Sequence, residues 1–161
     1  MELLRPRNNW RDKWFRKWEL WEDDQRYLTR WHIWPFKPSD PADQGDEENQ
    51  KKSAFKIFLH RMDGPDLDRF PHDHPWPFRS LILRGGYTDE QTVGMFEEST
   101  NELVFSPGVQ VHHKWTQKLP ATGKWHRILT IDRQPTWTLV FTGKHRRRWG
   151  YLTDKGWVAH D

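Results

Sequence analysis

The chain has 161 residues, a length that suits one compact domain. Its 12 tryptophans and its hydrophobic fraction of only 34% predict a core built from large rings. The absence of cysteine excludes disulfides and thiol nucleophiles, and the net charge of +3 is too small to indicate a nucleic-acid partner by itself.

The N-terminal segment, residues 1–24, is predicted to form an amphipathic helix. Between residues 9 and 23, four tryptophans recur at spacings of four, four and three residues, which puts their rings on one helical face. We interpret this segment as a helix packed on the side of the domain; a helix at a membrane surface or stacked on RNA is the alternative, disfavoured by the acidic residues among the rings. The four residues are Trp10, Trp14, Trp18 and Trp21.

Residues 25–161 are predicted to form an all-β domain. Within it, residues 37–53 lack a hydrophobic period and are rich in Pro, Asp, Glu and Gln, which predicts a mobile surface loop. The rest contains about eight short strand-like segments separated by turn signals, a pattern typical of a sandwich or small barrel. The predicted strands are 26–36, 54–62, 74–85, 87–99, 101–108, 109–117, 125–131 and 136–143.

Two histidines, His72 and His74, lie one residue apart at the start of an apolar stretch. In a strand, residues i and i+2 point to the same face with Cα atoms about 6.6 to 7 Å apart, so two imidazoles can share one ion. By the same parity the pair shares an interior face with Trp76 and Phe78, which we expect to form the pocket wall. With nine histidines in the chain, one such pair is a weak signal alone.

A third histidine follows a turn glycine, as Gly123-x-x-His126, where a new strand begins. Together with the paired histidines and the closing Gly85, these residues make the sequence resemble the cupin superfamily of small jelly-roll barrels. It is similar in particular to small, mostly uncharacterised cupin-like proteins of phage and bacterial genomes. The sequence departs from the cupin motifs where Phe78 stands in the position of the acidic ligand and Thr130 replaces an asparagine.

The resemblance implies a cupin-like jelly-roll barrel that holds one divalent metal on His72, His74 and His126. Because three imidazoles are neutral ligands, the ion would keep its full charge and open coordination positions. Fe(II) or Zn(II) is the expected ion, with Mn(II) or Ni(II) as alternatives. The adjacent His112 and His113 cannot both face inward, so one of them is a possible fourth ligand or acid/base.

Other polar residues near the predicted pocket have less specific interpretations. His60 is a further acid/base candidate. The aspartates of the preceding loop are interpreted as turn and capping residues, with orientation of the imidazoles as the alternative. Arginines in the strands could bind a carboxylate or phosphate, although parity points Arg79 and Arg127 away from the neighbouring histidines. These residues are Asp63, Asp66, Asp68 and Asp73, and Arg79, Arg84 and Arg127.

Three functions remain open from the sequence. The first is a metal-dependent enzyme acting on a small anionic or chelating substrate, with dioxygenase-like oxidation as the first reaction and isomerisation as the second. The second is a non-enzymatic module that binds a ligand or partner. The third is a nucleic-acid-associated protein that uses the basic segment 144–151, KHRRRWGY. A homodimer is expected from the resemblance, and a cytoplasmic location without membrane contact from the lack of a signal peptide or apolar span.

Overall fold

A computed structural model of the chain describes residues 17–22, 24–34, 55–66, 70–97, 99–100, 102–120 and 122–160. Within these ranges the regular structure consists of strands alone, as the sequence predicts, and no apolar helix of the length that a bilayer crossing requires is found. The strands are β1 (Lys17–Glu22), β2 (Gln25–Trp34), β3 (Lys56–Met62), β4 (Phe78–Arg84), β5 (Tyr87–Glu97), β6 (Glu102–Phe105), β7 (Val109–His113), β8 (Thr116–Leu119), β9 (Lys124–Ile131), β10 (Thr136–Thr142), β11 (Gly150–Thr153) and β12 (Gly156–Ala159).

Six strands form an antiparallel sheet in the order β1-β2-β3-β10-β4-β8. The alternation along β10 shows which face is interior, because three threonines and one valine are buried while the larger apolar side chains between them are half-buried. The small, largely polar face of this strand therefore points into the barrel. Its residues are Thr136, Thr138, Val140 and Thr142.

The second sheet is built around β5, which pairs with β9 on one side and with β7 and β6 along its length. Beyond β9 the sheet continues through a single residue, His72, which bridges His126 of β9 and Tyr151 of β11. The hairpin β11–β12 completes this side. The first and third predicted metal ligands are thus neighbours across one sheet.

The barrel interior is apolar at one end and polar elsewhere. Met62, Ile82 and Tyr87 form a buried cluster, against which partly buried aliphatic side chains pack. Away from this cluster, most of the buried side chains are polar or charged, and they need hydrogen-bond partners to offset the loss of water. They include Ser80, Asp89, Gln91, Gln117 and His126.

The predicted N-terminal helix is wrong for residues 17–22, which form strand β1. Backbone pairing with β2 makes this segment a strand. Trp18 is buried there against His32, with ring centroids 5.9 Å apart. A register shift between Leu20 and Trp21 interrupts the alternation and leaves Trp21 48% exposed, so these tryptophans do not share one helical face. Trp10, Trp14 and the predicted loop 37–53 lie outside the described residues.

Two other predicted strands also differ in the structure. The segment predicted as one strand over residues 109–117 divides into β7 and β8, which belong to different sheets. The strand predicted from residue 74 begins only at Phe78, because Pro75 and Pro77 cannot donate ladder hydrogen bonds. The C-terminal hairpin β11–β12 was not predicted.

Candidate metal centre

Three imidazoles converge inside the barrel, and they are the three that the sequence predicts. One ring nitrogen from each of His72, His74 and His126 lies within 4.8 Å of the other two. The ring centroids are 5.0 to 5.2 Å apart, so the three rings form a nearly equilateral triangle. We call these residues the histidine triad.

Backbone pairing explains why the triad forms. The N–H of His72 donates to the carbonyl of His126 at 2.9 Å, and the N–H of His126 donates back at the same distance. Residues opposed in this way carry their side chains on the same face of a sheet. His74 follows two residues later in an extended segment, so its ring returns to that face. We predicted that one strand holds both His72 and His74. In the structure His72 forms only this single bridge, and neither histidine belongs to a strand.

The triad fits a metal ion by its donor atoms and their spacing. The Nε2 atoms of His74 and His126 are 2.9 Å apart. Two nitrogens bound to one ion at about 2.0 to 2.1 Å are separated by about 2.9 to 3.4 Å when the bond angle is between square and tetrahedral. The closest pair already has this separation, and within the described residues the group contains no carboxylate.

A buried carboxylate, Asp89, orients His126. Its Oδ2 lies 3.2 Å from Nδ1 of His126, so the Nδ1–H of the imidazole donates to it and Nε2 is turned toward His74. Asp89 is fully buried and also accepts hydrogen bonds from His113 at 2.8 Å and from the amides of Gln91 and Gln117. Burial pushes the pKa of Asp89 upward, but the bonds from His113 and His126 outweigh it and lower the pKa, so the carboxyl is ionised.

The other two rings of the triad are neutral. Burial, followed by the charges of His126 and His160, lowers the pKa of His72 to about 3. Burial also lowers the pKa of His74 well below 6.5, with further lowering by His126, His72, Arg30 and His60. Neutral imidazoles have the lone pairs that a metal ion binds, so His72 and His74 are in their ligating form at neutral pH.

The two residues predicted to form the pocket wall, Trp76 and Phe78, lie in different surroundings. The Phe78 ring stands edge-on to His74 at 4.8 Å and lies 5.9 Å from His126, so it shields the triad on that side. Trp76 instead contacts His145, at 6.0 Å, and Lys56, whose Nζ is 5.4 Å from the ring centroid. Trp76 therefore packs beside the triad rather than against it, because its segment is not a strand.

A surface cavity of about 420 Å³ lies on the far side of Phe78. Phe78, Leu119 and Thr142 contribute to its wall. Phe78 pairs with Thr142 on one side and with Leu119 on the other, so the three residues form the last row on the inner face of the six-stranded sheet. Three cationic residues also line it, which gives the cavity a positive potential toward anions. They are Arg79, Lys118 and Arg146. A second cavity, of about 340 Å³, is lined by Phe70 and Phe105 and does not include the triad.

The three other candidate histidines, His112, His113 and His60, occupy different environments. His112 is on the surface, 51% exposed, with its Nε2 2.8 Å from Asp132. His113 faces inward and bonds to Asp89, so it meets the triad through that carboxylate rather than as a member of the donor group. His60 accepts a hydrogen bond at Nε2 from Nε of Arg30, 3.0 Å away, and burial followed by that charge lowers its pKa well below 6.5.

The loop aspartates Asp63 and Asp66 bond to neighbouring strands instead of to the turns of their own loop. Asp66 accepts from the backbone N–H of Ile128 at 2.8 Å, and Asp63 pairs with Arg26 and Arg61. Burial raises the pKa of Asp66, opposed by the charge of His126. Asp68 lies outside the described residues. Arg79 and Arg84 are exposed, and Arg127 pairs with Glu90 at 2.8 Å.

Asp73, between the paired histidines, is fully buried and fixes the C-terminal hairpin. Its carboxylate accepts from the N–H of Gly150 at 2.7 Å, from the indole of Trp157 at 3.1 Å and from the guanidinium of Arg147. Backbone bonds join Asp73 to Gly150 and residue 152 to residue 71. The hairpin also brings Trp149 to within 6.2 Å of the His72 ring, centroid to centroid.

Sequence reasoning missed Asp89, Arg30 and this hairpin. The signal for Asp89 was available, because Tyr87, Asp89 and Gln91 alternate along a predicted strand and share one face with a large ring. An aspartate of that parity is expected to be buried and therefore paired. The hairpin gave a weaker signal, since its strands have only four residues each.

No protein-family model matches the chain, and no curated protein matches it. Among solved structures, the 7S globulin of Momordica charantia aligns with a TM-score of 0.53 at 8% identity, over 88% of this chain and 36% of its own. The vicilin of Corylus avellana aligns with a TM-score of 0.48 at 12% identity, over 83% and 33%. Rru_A2000 of Rhodospirillum rubrum, a cupin-2 domain, aligns with a TM-score of 0.47 at 11% identity, over 97% and 86%.

The chain spans about a third of the length of the first two of these proteins. At such identities the likeness concerns the fold alone. The resemblance found in the sequence therefore extends to the fold, which the chain shares with the 7S globulin over 88% of its length.

Proposed function

We propose that the protein binds one divalent metal ion through His72, His74 and His126. The observation that carries this proposal is the approach of three ring nitrogens, from two separate parts of the chain, to within 4.8 Å of one another. A buried imidazole without a partner loses its hydration free energy. One metal ion bound by all three rings would compensate this loss for each of them. Fe(II) or Zn(II) is the proposed ion, and Mn(II) or Ni(II) are the alternatives, because imidazole suits each of them.

As an enzyme, the protein would act on a small anionic or chelating substrate. When bound, the ion supplies Lewis acidity and open coordination positions. The chain supplies the rest: Phe78 excludes water from one side of the triad, Asp89 fixes the tautomer of His126, and the cationic wall of the neighbouring cavity attracts an anion. Oxygen-dependent oxidation is the first candidate reaction and isomerisation the second.

Metal content of protein purified without a His-tag tests the proposal. We expect about one equivalent of divalent metal after anaerobic loading and removal of loosely bound ions, because one site is proposed. The double variant His72→Ala/His74→Ala removes two ligands and should retain none. His112→Ala is the matched control, since it removes an exposed histidine on Asp132, and it should bind like the wild type. Metal retained by the double variant, or absent from the wild type, rejects the site.

The two other functions receive less support from the residues. A non-enzymatic ligand-binding module remains the alternative if the loaded protein binds ligands without turnover. For nucleic-acid binding, the basic segment has fewer free charges than its sequence indicates, because Arg147 is bound to Asp73 and the segment leads into β11. Homodimer formation and a cytoplasmic location remain predictions.

A further inference from the structure

We propose that Arg30 and His60 form a carboxylate-binding subsite inside the barrel, opposite the histidine triad. The subsite would hold the anionic end of a small substrate. This inference deepens the proposed function, and it rests on that function only for the claim that the same molecule also reaches the triad.

The two residues lie on the inner face of the six-stranded sheet. The register pairs Arg30 with His60 across β2 and β3, His60 with Thr138 across β3 and β10, and Thr138 with Ile82 across β10 and β4. Thr138 and Ile82 are buried, which fixes this row as interior. The neighbouring row contains Phe58, and the Arg30 guanidinium lies over its ring at 5.1 Å from the centroid.

The charge of Arg30 has no carboxylate partner within the described ranges. Its Nε donates to Nε2 of His60 at 3.0 Å, and an imidazole that accepts in this way is neutral. In contrast, four other arginines form ion pairs with carboxylates: Arg26, Arg61, Arg127 and Arg147. A positive charge inside a barrel without a counter-ion is costly unless an anion joins it. The interior therefore presents one uncompensated guanidinium.

Arg30 and His60 point inward, and both keep partial solvent exposure. The apolar cluster of Met62, Ile82 and Tyr87 lies one row further on and closes that end of the barrel. Phe58 packs beside His60, with ring centroids 6.0 Å apart, and places an apolar ring next to the two polar residues. A ligand held here has its charged end at Arg30 and its remainder toward the triad.

The chemistry of the subsite favours a carboxylate. With Nε engaged by His60, the two Nη groups of Arg30 are left to bind both oxygens of a planar carboxylate. One guanidinium matches one negative charge, whereas a phosphate dianion would bring a second charge into the interior. A small monocarboxylate is thus the ligand class that we infer.

Titration with sodium acetate, followed by NMR, tests the subsite directly. The Nε–Hε signal of Arg30 and the amide of Thr138 are observed in ¹⁵N-labelled protein at pH 7, with and without zinc. Sodium chloride keeps the ionic strength constant, and sodium phosphate is titrated in parallel. We expect acetate to shift both signals saturably, also in the metal-free protein, because Arg30 and not the metal binds it.

Arg30→Gln should weaken acetate binding about tenfold or more, as read from the Thr138 amide, because a charged hydrogen-bond donor pair is lost. Arg30→Lys, which keeps the charge but not the fork, is the second variant if the first does not fold, and it should also bind more weakly than the wild type. Arg84→Gln, an exposed arginine of the neighbouring strand β4, is the matched control and should behave like the wild type.

Three results would overturn the subsite: acetate shifts no larger than those of chloride, phosphate binding without acetate binding, or acetate binding unchanged in both Arg30 variants. The metal-free arm separates this outcome from the metal proposal. If acetate binds in the absence of zinc but no metal is retained on loading, the subsite stands and the proposed function fails.

Discussion

Asp89 is the side chain on which the orientation of His126 depends. It is fully buried, and the two imidazoles and two amides that donate to it leave no room for rotation of the carboxylate. A carboxylate that accepts a hydrogen bond from one ring nitrogen keeps the imidazole in the tautomer whose other nitrogen can bind a metal. The same carboxylate bonds to both His113 and His126. His113 is therefore linked to the triad through two successive hydrogen bonds, from His113 to Asp89 and from Asp89 to His126.

We predict that Asp89→Asn weakens zinc affinity about 10- to 100-fold, because the orienting acceptor for Nδ1–H of His126 loses its charge while all three ligands remain. Competition with a chromophoric chelator measures the affinity, and circular dichroism shows that the variant is folded. Asp132→Asn is the matched control, because Asp132 holds the exposed His112 in the same kind of pair. Equal affinities for the two variants would show that Asp89 does not position the triad.

Single residues could be predicted where the sequence carries a local pattern. The triad was predicted from two same-parity histidines and a third after the turn glycine Gly123, which has a φ of +74 in the structure. The role of Arg30 could not be derived from such patterns, because its position opposite His60 follows from the pairing of strands that are distant in the sequence. His112 and His113 were equivalent in the sequence, and only the direction of β7 separates them.

Among the elements, the C-terminal hairpin β11–β12 is bonded to the segment that carries His72 and His74. It extends the sheet beyond His72, and Arg147 and Trp157 donate to the buried carboxylate of Asp73 in that segment. Because residues 71 and 73 are also bonded to the hairpin backbone, the position of His72 depends on whether the hairpin is docked.

We predict that Asp73→Ala lowers the free energy of unfolding by about 2 to 4 kcal/mol, because buried donors of the hairpin lose their shared acceptor. Zinc affinity should fall with it, since the segment that carries His72 is released. Urea unfolding measures the first effect and chelator competition the second. Asp154→Ala, in the exposed turn of the same hairpin, should change neither quantity. A stable Asp73→Ala protein with full zinc affinity would contradict this account of the hairpin.

The elements predicted from alternation were the reliable ones. Strands β3, β4, β5, β9 and β10 follow two-residue patterns bounded by turn residues, and they were found. The tryptophan spacing indicated a helix because local periodicity takes no account of β2, whose free edge pairs with residues 17–22. The division between β7 and β8 was missed because the chain changes sheets at Lys114 and Trp115 without a glycine or proline.

For the molecule as a whole, the distribution of buried charge predicts a pH dependence of stability. Burial lowers the pKa values of His60, His72 and His74, the value for His72 reaching about 3. In the unfolded chain these groups take up protons near pH 6.5, so below that pH the unfolded state binds more protons than the folded state. Their contribution to stability is complete above about pH 6.5 and is lost as the pH falls toward 3. Asp66, with a raised pKa, acts in the opposite sense.

We therefore predict that the free energy of unfolding of the metal-free protein falls steadily from pH 7 to pH 4. Urea denaturation at constant ionic strength measures it, and chelator in the buffer keeps metal out. His60→Gln should flatten part of this dependence, because one buried base is removed, whereas His112→Gln should leave it unchanged. A stability that is constant or rises over this range would show that the imidazoles are not held neutral in the folded state.

The fold class could be predicted from the sequence, but the strand order could not. Short alternating segments and regular turns are sufficient for an all-β barrel, and the resemblance to cupins narrowed this to a jelly roll. The order β1-β2-β3-β10-β4-β8 depends on pairings between distant segments, which no local pattern specifies. The polar interior also went unrecognised, because threonines of β10 fit either face of a strand until the opposing sheet is known.

Anomalous scattering from crystals of zinc-loaded protein, recorded at the zinc edge, tests the central claim most directly. The account predicts one strong peak inside the barrel, about 2.0 to 2.1 Å from one ring nitrogen each of His72, His74 and His126. Zinc bound elsewhere with no peak between these rings, or one of the three rings turned into solvent, would contradict it.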